Sequence, residues 1–539
     1  MSMLSKGQDL TTLTPLQVFY MSSSCRAFGK LRSFLWPIHR KELHTFIPML
    51  IIFFLVGFNY NLLRVTKDAL VVTAHASGAE ALPFLKVWAI LPMALLFTFI
   101  LTRVSNRFSR EKVFYFMISI FIVFFILFTF VLFPYQDLLH PNKLADKIQA
   151  YLPLGCKGMI AVFRNWTYTA FYVMSEMWST IVMTILAWGF ANEVTSTKDA
   201  KRFYGLIGIS INLSSIVAGM VASNLSQHVF NSHLPFGSDG WTQSVFLINS
   251  VIILSGLLTM GLFRYIHKKG HGYNDPNYKA HNEENKIKMG MRKNFAYLAR
   301  SKYLIYIAII VVTYNIAIVL LEVVWKDQVK QLYPNPSDFN AHMGKVVTGV
   351  GIVAAVISVF ISTLLRKLSW TKSAMICPLI LLTTGIAFFS FLLFKDTGLA
   401  AFTALFSTTP LALGVFFGSM QNCLARASKY TFFDATKELA FVPLSKECKL
   451  KGKAAIDGVG SRLGKSGASV IHQGLLVTFG TVALSTPFVA VILAGVIVAW
   501  MMAVKNLGKQ FEELTSHDQI LSVPEEVPTT DNLRPLETT

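Results

Sequence analysis

The sequence predicts an all-α polytopic membrane protein, twelve transmembrane helices in two six-helix halves, and three observations predict it. Apolar residues come in blocks of about 20, the length that crosses some 30 Å of hydrocarbon as helix. Of 539 residues 53% are hydrophobic and only 14% charged, whereas a soluble chain carries about a quarter charged. A polar, basic stretch, 265–302, divides the blocks six and six.

Residues 1–44 are basic (Arg26, Lys30, Arg32, Arg40, Lys41). They lack the short apolar core and small-residue cleavage site of a signal peptide, so the N-terminus is expected to stay cytoplasmic. The N-terminal half, 45–264, holds spans at 45–72, 84–102, 113–134, 166–190, 203–224 and 244–264. After the cytoplasmic linker 265–302, the C-terminal half, 303–508, holds spans at 303–325, 345–365, 374–394, 400–422, 467–485 and 487–504. The tail 509–539, with Pro524, Pro528 and Pro535, is too polar to bury a core and is expected to be disordered and cytoplasmic.

Counted from a cytoplasmic N-terminus, the inner loops collect the cations: Arg103, Arg107, Arg110 and Lys112 after span 2, and Arg366, Lys367 and Lys372 after span 8. Outer loop 3–4 is the exception, with Lys143, Lys147, Lys157 and Arg164. The positive-inside rule places both termini in the cytoplasm. It also accounts for the net charge of +20 without nucleic acid as a partner.

The halves echo each other. Leu62-Leu-Arg64-Val-Thr-Lys67-Asp68 closes span 1, and Leu320-Leu-Glu322-Val-Val-Trp325-Lys326-Asp327 closes span 7 with one residue of slip. Two parallel six-helix repeats around a midplane site describe the major-facilitator plan.

Lys67, Lys86, Glu176 and Glu322 sit in or against these apolar blocks. A charged group at bilayer depth costs roughly 2.5–3.5 kcal/mol on insertion scales, so it marks either a water-filled cavity or an ion pair locking helices. In span 1, Arg64, Lys67 and Asp68 share one helical face. Two cations there suit a phosphate clamp, and equally suit snorkelling at the membrane edge. Glu176, ten residues after Trp166, falls near mid-bilayer and reads as a proton carrier or the partner of a lysine. His472 in span 11 reads as a packing residue.

Other signals fail. Gly458-Val-Gly-Ser-Arg-Leu-Gly464-Lys465-Ser466 misses the phosphate-loop pattern by one residue and lacks a preceding strand. Lys465 at the start of span 11 is still placed to meet an anion, or else is an ordinary positive-inside lysine. Asn165-Trp-Thr167 is a weak glycosylation match. Five scattered cysteines form no metal or disulfide pattern. No catalytic arrangement appears, so neither an enzyme, a metal nor a cofactor is expected.

The chain resembles the non-mitochondrial ATP/ADP translocases, nucleotide transporters of obligate intracellular bacteria and plastids. The strings that carry the resemblance run in order over about residues 28–508. They are Phe28-Gly-Lys-Leu-Arg-Ser-Phe-Leu-Trp-Pro-Ile-His39, Arg64-Val-Thr-Lys67-Asp68, Pro83-Phe-Leu-Lys86-Val-Trp88, Arg164-Asn-Trp166 and Trp188-Gly-Phe-Ala-Asn192-Glu193. Lys201-Arg-Phe-Tyr204, Asp434-Ala-Thr-Lys437-Glu438, Lys451-Gly-Lys-Ala-Ala455 and Leu463-Gly-Lys465-Ser-Gly467 complete the series.

The resemblance implies import of ATP in exchange for ADP across a bacterial inner membrane. Some members of the family import several nucleoside triphosphates with protons instead. Lys86, Glu176, Glu322 and Lys465 match the family's intramembrane charged positions. Ala187, Asp327 and Phe441-Val-Pro-Leu-Ser445-Lys446 depart from the pattern of the exchangers and keep the proton-coupled alternative open. A transporter of another phosphorylated anion and a non-transporting membrane scaffold remain as readings from other classes.

The expected mechanism is alternating access about a cationic cavity. Arg64, Lys67, Lys86 and Lys465 are expected to hold phosphates, with Tyr172 and Asn192 also at the substrate. Glu176 and Glu322 then pair the cations when the site is empty, and with Asp68 are the candidates for coupling. A base is expected to stack on Tyr172, Trp178 or Trp88. The expected partners are nucleotides, membrane lipid and, in the alternative, protons; the chain is expected to act as a monomer.

Overall fold

The computed structural model describes residues 38–40, 42–195, 197–226, 230–268, 301–394, 407–444 and 452–521. The linker 269–300 and the tail 522–539 lie outside them. All regular structure among the described residues is helical.

Among the described residues ten helices are long and apolar enough to cross a membrane. In the first half these are α1 (Leu43–Val72), α2 (Ala81–Ser105), α3 (Arg110–Leu132), α4 (Trp166–Asn192), α5 (Thr197–Leu225) and α6 (Gly240–Lys268). In the second they are α7 (Lys302–Leu332), α8 (Pro336–Lys367), α9 (Trp370–Leu393) and α12 (Val482–Leu521). Two shorter helices complete the set: α10 (Pro410–Ser428) and α11 (Ser461–Phe479). Each carries cations within its length, Arg426 in one, Arg462 and Lys465 in the other.

Several boundaries differ from the sequence expectation, each for a local reason. α10 begins at Pro410, not at residue 400. Thr409 caps its N-terminus through its side chain and Pro410 occupies the first turn, where the missing N–H costs nothing. It also runs past 422, through a π-helical turn, Lys429–Phe433, into Asp434–Ala440. The break between the last two spans falls at Gly480, whose φ of 82° only glycine adopts freely, rather than at 486. α12 continues to Leu521, through the start of the segment expected to be disordered.

The halves repeat each other in packing. α1 lies against α4, α5 and α6, as α7 lies against α10, α11 and α12. Across the halves α5 packs along α8, and α11 meets α2. The α5–α8 crossing is close because both helices present glycine: a Cβ on Gly219 would strike the Gly344 carbonyl and Thr348.

Hydrogen bonds joining the halves gather at one end of the bundle. Asn340 Nδ2 donates to Ser226 Oγ (2.8 Å), Gln473 Nε2 to the Pro83 carbonyl (3.0 Å), and Lys330 to the Ser77 carbonyl. This end, where α1 and α7 finish, is closed. At the same end the loop between α3 and α4 forms short helices, Asn142–Tyr151 and Lys157–Arg164. Asn165 is buried there and donates to the His75 carbonyl (3.1 Å), so the sequon is not open to modification in this fold.

Candidate functional site

The charged residues of the spans converge behind the closed end, where they form one chain of ion pairs. Glu176 on α4 meets Lys67 on α1 (2.9 Å), and Lys67 lies 3.3 Å from Asp68. Asp68 meets Lys326 on α7 (2.7 Å), which also meets Glu322 one turn back (2.8 Å). Glu322 then binds Lys86 on α2 (3.0 Å) and Arg426 on α10 (3.3 Å). Two of these links, Asp68–Lys326 and Lys86–Glu322, cross between the halves.

Helical spacing explains the convergence. Arg64, Lys67 and Asp68 lie on one face of α1 at intervals of three and four, and Glu322 and Lys326 are likewise four apart on α7. Lys86 sits in a π-helical turn of α2, Leu85–Ile90, and Glu176 stands two residues before the π-helical run Trp178–Ala187 of α4. Such wide turns are common at functional sites because they rotate the helical face locally.

Exposure changes along the cavity. Lys326, Asp68 and Lys67 are sealed, at 0%, 1% and 4% exposed. Glu176 keeps 36% of its side chain open to solvent, Tyr430 is 43% exposed and Lys465 is exposed as well. All three lie deep among the helices. They therefore line a wet cavity that is shut beyond Asp68 and open at the opposite end.

The cavity is rich in positive charge. Arg64, Lys67, Lys86, Lys326, Arg426, Lys429 and Lys465 face Asp68, Glu176, Glu322 and Asp434. Lys429 pairs with Asp434 at 3.2 Å. Arg64 and Lys465 have no carboxylate or hydrogen-bond partner among the described residues, although Lys465 lies in the field of Glu176, Lys429 and Lys86. A cavity with excess cations, two of them unpaired, is built for an anion with several charges.

Arg64, Lys67, Asp68, Lys86, Glu176, Glu322 and Lys465 thus come together as expected. Tyr172 is there too, but its ring is taken: Lys67 Nζ sits 3.5 Å from its centroid. Asn192 is not there. It lies sixteen residues beyond Glu176, roughly 24 Å along the helix, and accepts a hydrogen bond from Tyr204. Trp178 is buried at 1% with its indole N–H donating to the Val56 carbonyl, and Trp88 is 66% exposed with its indole N–H donating to Gln473 Oε1 on α11 (3.3 Å). His472 is a packing residue, its Nε2 3.0 Å from the Leu320 carbonyl.

Sequence reasoning missed Lys326, Arg426, Lys429, Tyr60 and Tyr430. Lys326 was signalled by the echo between spans 1 and 7, where it matches Lys67. Arg426 and Lys429 were hidden because the apolar run suggested that span 10 ended before them.

The sequence profile of the family described as TLC ATP/ADP transporter matches residues 21–511. The chain belongs to the TLC ATP/ADP transporter family. A relative from Chlamydia pneumoniae named ADP,ATP carrier protein 1 is 43% identical over 494 residues, covering 90% of this chain and 95% of its own length. ADP,ATP carrier protein 2, chloroplastic, of Arabidopsis thaliana is 39% identical over 478 residues, covering 89% and 76%. Among solved structures, an inward-facing bacterial homologue of the iron transporter ferroportin superposes with a TM-score of 0.54 at 13% identity, covering 89% of this chain and all of that one. At that identity the likeness is of fold alone.

Proposed function

We propose that this transporter exchanges ATP for ADP across a bacterial inner membrane by alternating access. Two observations support the reading: its 43% identity to a chlamydial ADP,ATP carrier over most of both chains, and the unpaired cations Arg64 and Lys465 in an otherwise ion-paired cavity. The second carries the mechanism, because an anion is what those two groups lack.

In this reading the open end faces the cytoplasm, along with both termini, and the ion-pair chain is the closed outer gate. A nucleotide arriving from the cytoplasm meets Lys465 and Arg64 first. Its phosphates then compete with Glu322 and Glu176 for Lys86, Arg426 and Lys67. Once those cations hold phosphate, the links across the halves weaken and the outer end can open. With no nucleotide the carboxylates take the cations back, so no buried charge stands unpaired. One chain encloses the whole cavity, so a monomer suffices.

The test is purified protein in liposomes, following labelled ATP uptake. Uptake that requires internal ADP and ignores a pH gradient is the expected result. Uptake into empty liposomes driven by an inward proton gradient would replace exchange with nucleotide–proton symport. No uptake of any nucleotide, with uptake of another phosphorylated anion, would sink the reading.

A further inference from the structure

The structure leaves the rings expected to stack on a base unavailable. Trp178 is packed, Trp88 is tied through its indole N–H to Gln473 of α11, and Tyr172 lies under Lys67. Two other tyrosines border the cavity, Tyr60 on α1, half-buried, and Tyr430, exposed, in the π-helical turn that extends α10.

Each stands four residues from an arginine: Tyr60 before Arg64, Tyr430 after Arg426. Residues four apart lie one above the other on a helix. α1 runs toward the closed end and α10 away from it, since Arg426 meets Glu322 and Ala440 accepts from Tyr303 at the start of α7 (2.7 Å). Both tyrosines therefore sit about one turn nearer the open end than their arginines, about 6 Å. Tyr60 is in electrostatic reach of Tyr430, Arg64 and Arg426, so the two pairs share one level of the cavity, one pair from each half.

Neither ring stacks on another aromatic, and neither phenol has a hydrogen-bond partner among the described residues. Lys429 Nζ lies 4.7 Å from the centroid of Tyr430 and steadies one face of that ring. The ring itself is 43% exposed. A nucleotide entering phosphates first puts them at the arginine level and its base at the tyrosine level.

We infer that Tyr60 and Tyr430 form the nucleobase clamp, stacking on the base from opposite halves. Stacking needs only a π-face, so the clamp sets affinity for nucleotides over bare polyphosphates rather than choosing between bases. Because one ring comes from each half, the base itself becomes a tie between them.

The inference rests on the nucleotide-exchange reading, and its test separates the two. Tyr60→Leu, Tyr430→Leu and the corresponding Phe variants are assayed in ADP-loaded liposomes for the KM of ATP and for inhibition by inorganic tripolyphosphate, which has no base. Each Leu variant is expected to raise the KM of ATP about tenfold, leave tripolyphosphate inhibition within about twofold, and be rescued by Phe. Where a variant shows no uptake, ATP and tripolyphosphate binding to the purified protein are compared by calorimetry. Leu variants with an unchanged KM, an equal shift for both ligands, or Phe as poor as Leu would overturn the clamp while leaving exchange intact. Wild-type protein that exchanges no nucleotide would overturn both.

Discussion

Lys326 Nζ on α7 lies 2.7 Å from Asp68 Oδ2 on α1, and both side chains are sealed from solvent. This pair joins the two halves at the point where the cavity ends. Removing one partner of a buried pair leaves a bare charge and costs about 3–5 kcal/mol. Lys326→Met or Asp68→Asn alone should abolish exchange and lower the melting temperature of the detergent-solubilised protein. The double variant should melt nearer to wild type, because no charge is then stranded. A double variant as unstable as the worse single one would show that the pair does not act as a unit.

Arg64 and Lys465 are the cavity cations without partners among the described residues. A hydrogen bond to a charged group is worth about 1.5–3 kcal/mol. Arg64→Ala and Lys465→Ala should each raise the KM for ATP by about tenfold or more, with less effect on protein stability than Lys326→Met. Saturation curves set beside melting curves give the check; a KM within twofold of wild type would remove that residue from the phosphate site.

Gly219 and Gly344 let α5 and α8 approach closely at the closed end. A Cβ on either would meet the other's carbonyl oxygen. Gly219→Val should hold that end apart, so that a cysteine introduced at Ala69 becomes reactive to a membrane-impermeant thiol reagent added outside, and exchange stops. Gly189→Ala, where a Cβ meets nothing within 4 Å, should exchange normally.

His140 caps a short helix outside the spans, with Nε2 2.7 Å from Thr167 Oγ1. Burial pushes its pKa below the usual histidine value, against the opposing charge of Asp137. A depressed histidine supports the fold above about pH 6.5 and loses that support as pH falls through its folded pKa. Melting temperature should therefore drop between pH 7.5 and 5.5, and His140→Gln should reduce that slope. An identical slope in the variant would show that His140 does not carry the effect.

Much of this site was legible as a list of residues but not as an arrangement. Lys67, Lys86, Glu176 and Glu322 stood out because charge is costly at bilayer depth, and the structure brings all four together. The aromatic residues were misassigned for a reason of the opposite kind. Trp88, Trp178, Tyr60 and Tyr430 are all at home in a span, and nothing in local sequence says which face of a helix looks into the cavity. Arg426 was lost to a boundary, since an apolar run drew span 10 about ten residues too early.

The sequence by itself determined the helices, their approximate number and the charges they carry, because a bilayer demands long apolar segments with every backbone hydrogen bond satisfied internally. It also carried the internal repeat. Only the tertiary structure decided which charge meets which, which cations stay unpaired and which rings are open. Lys86 and Glu322 are 236 residues apart in sequence and 3.0 Å apart in space. Such a pairing is a property of how two halves pack, and no local pattern encodes it.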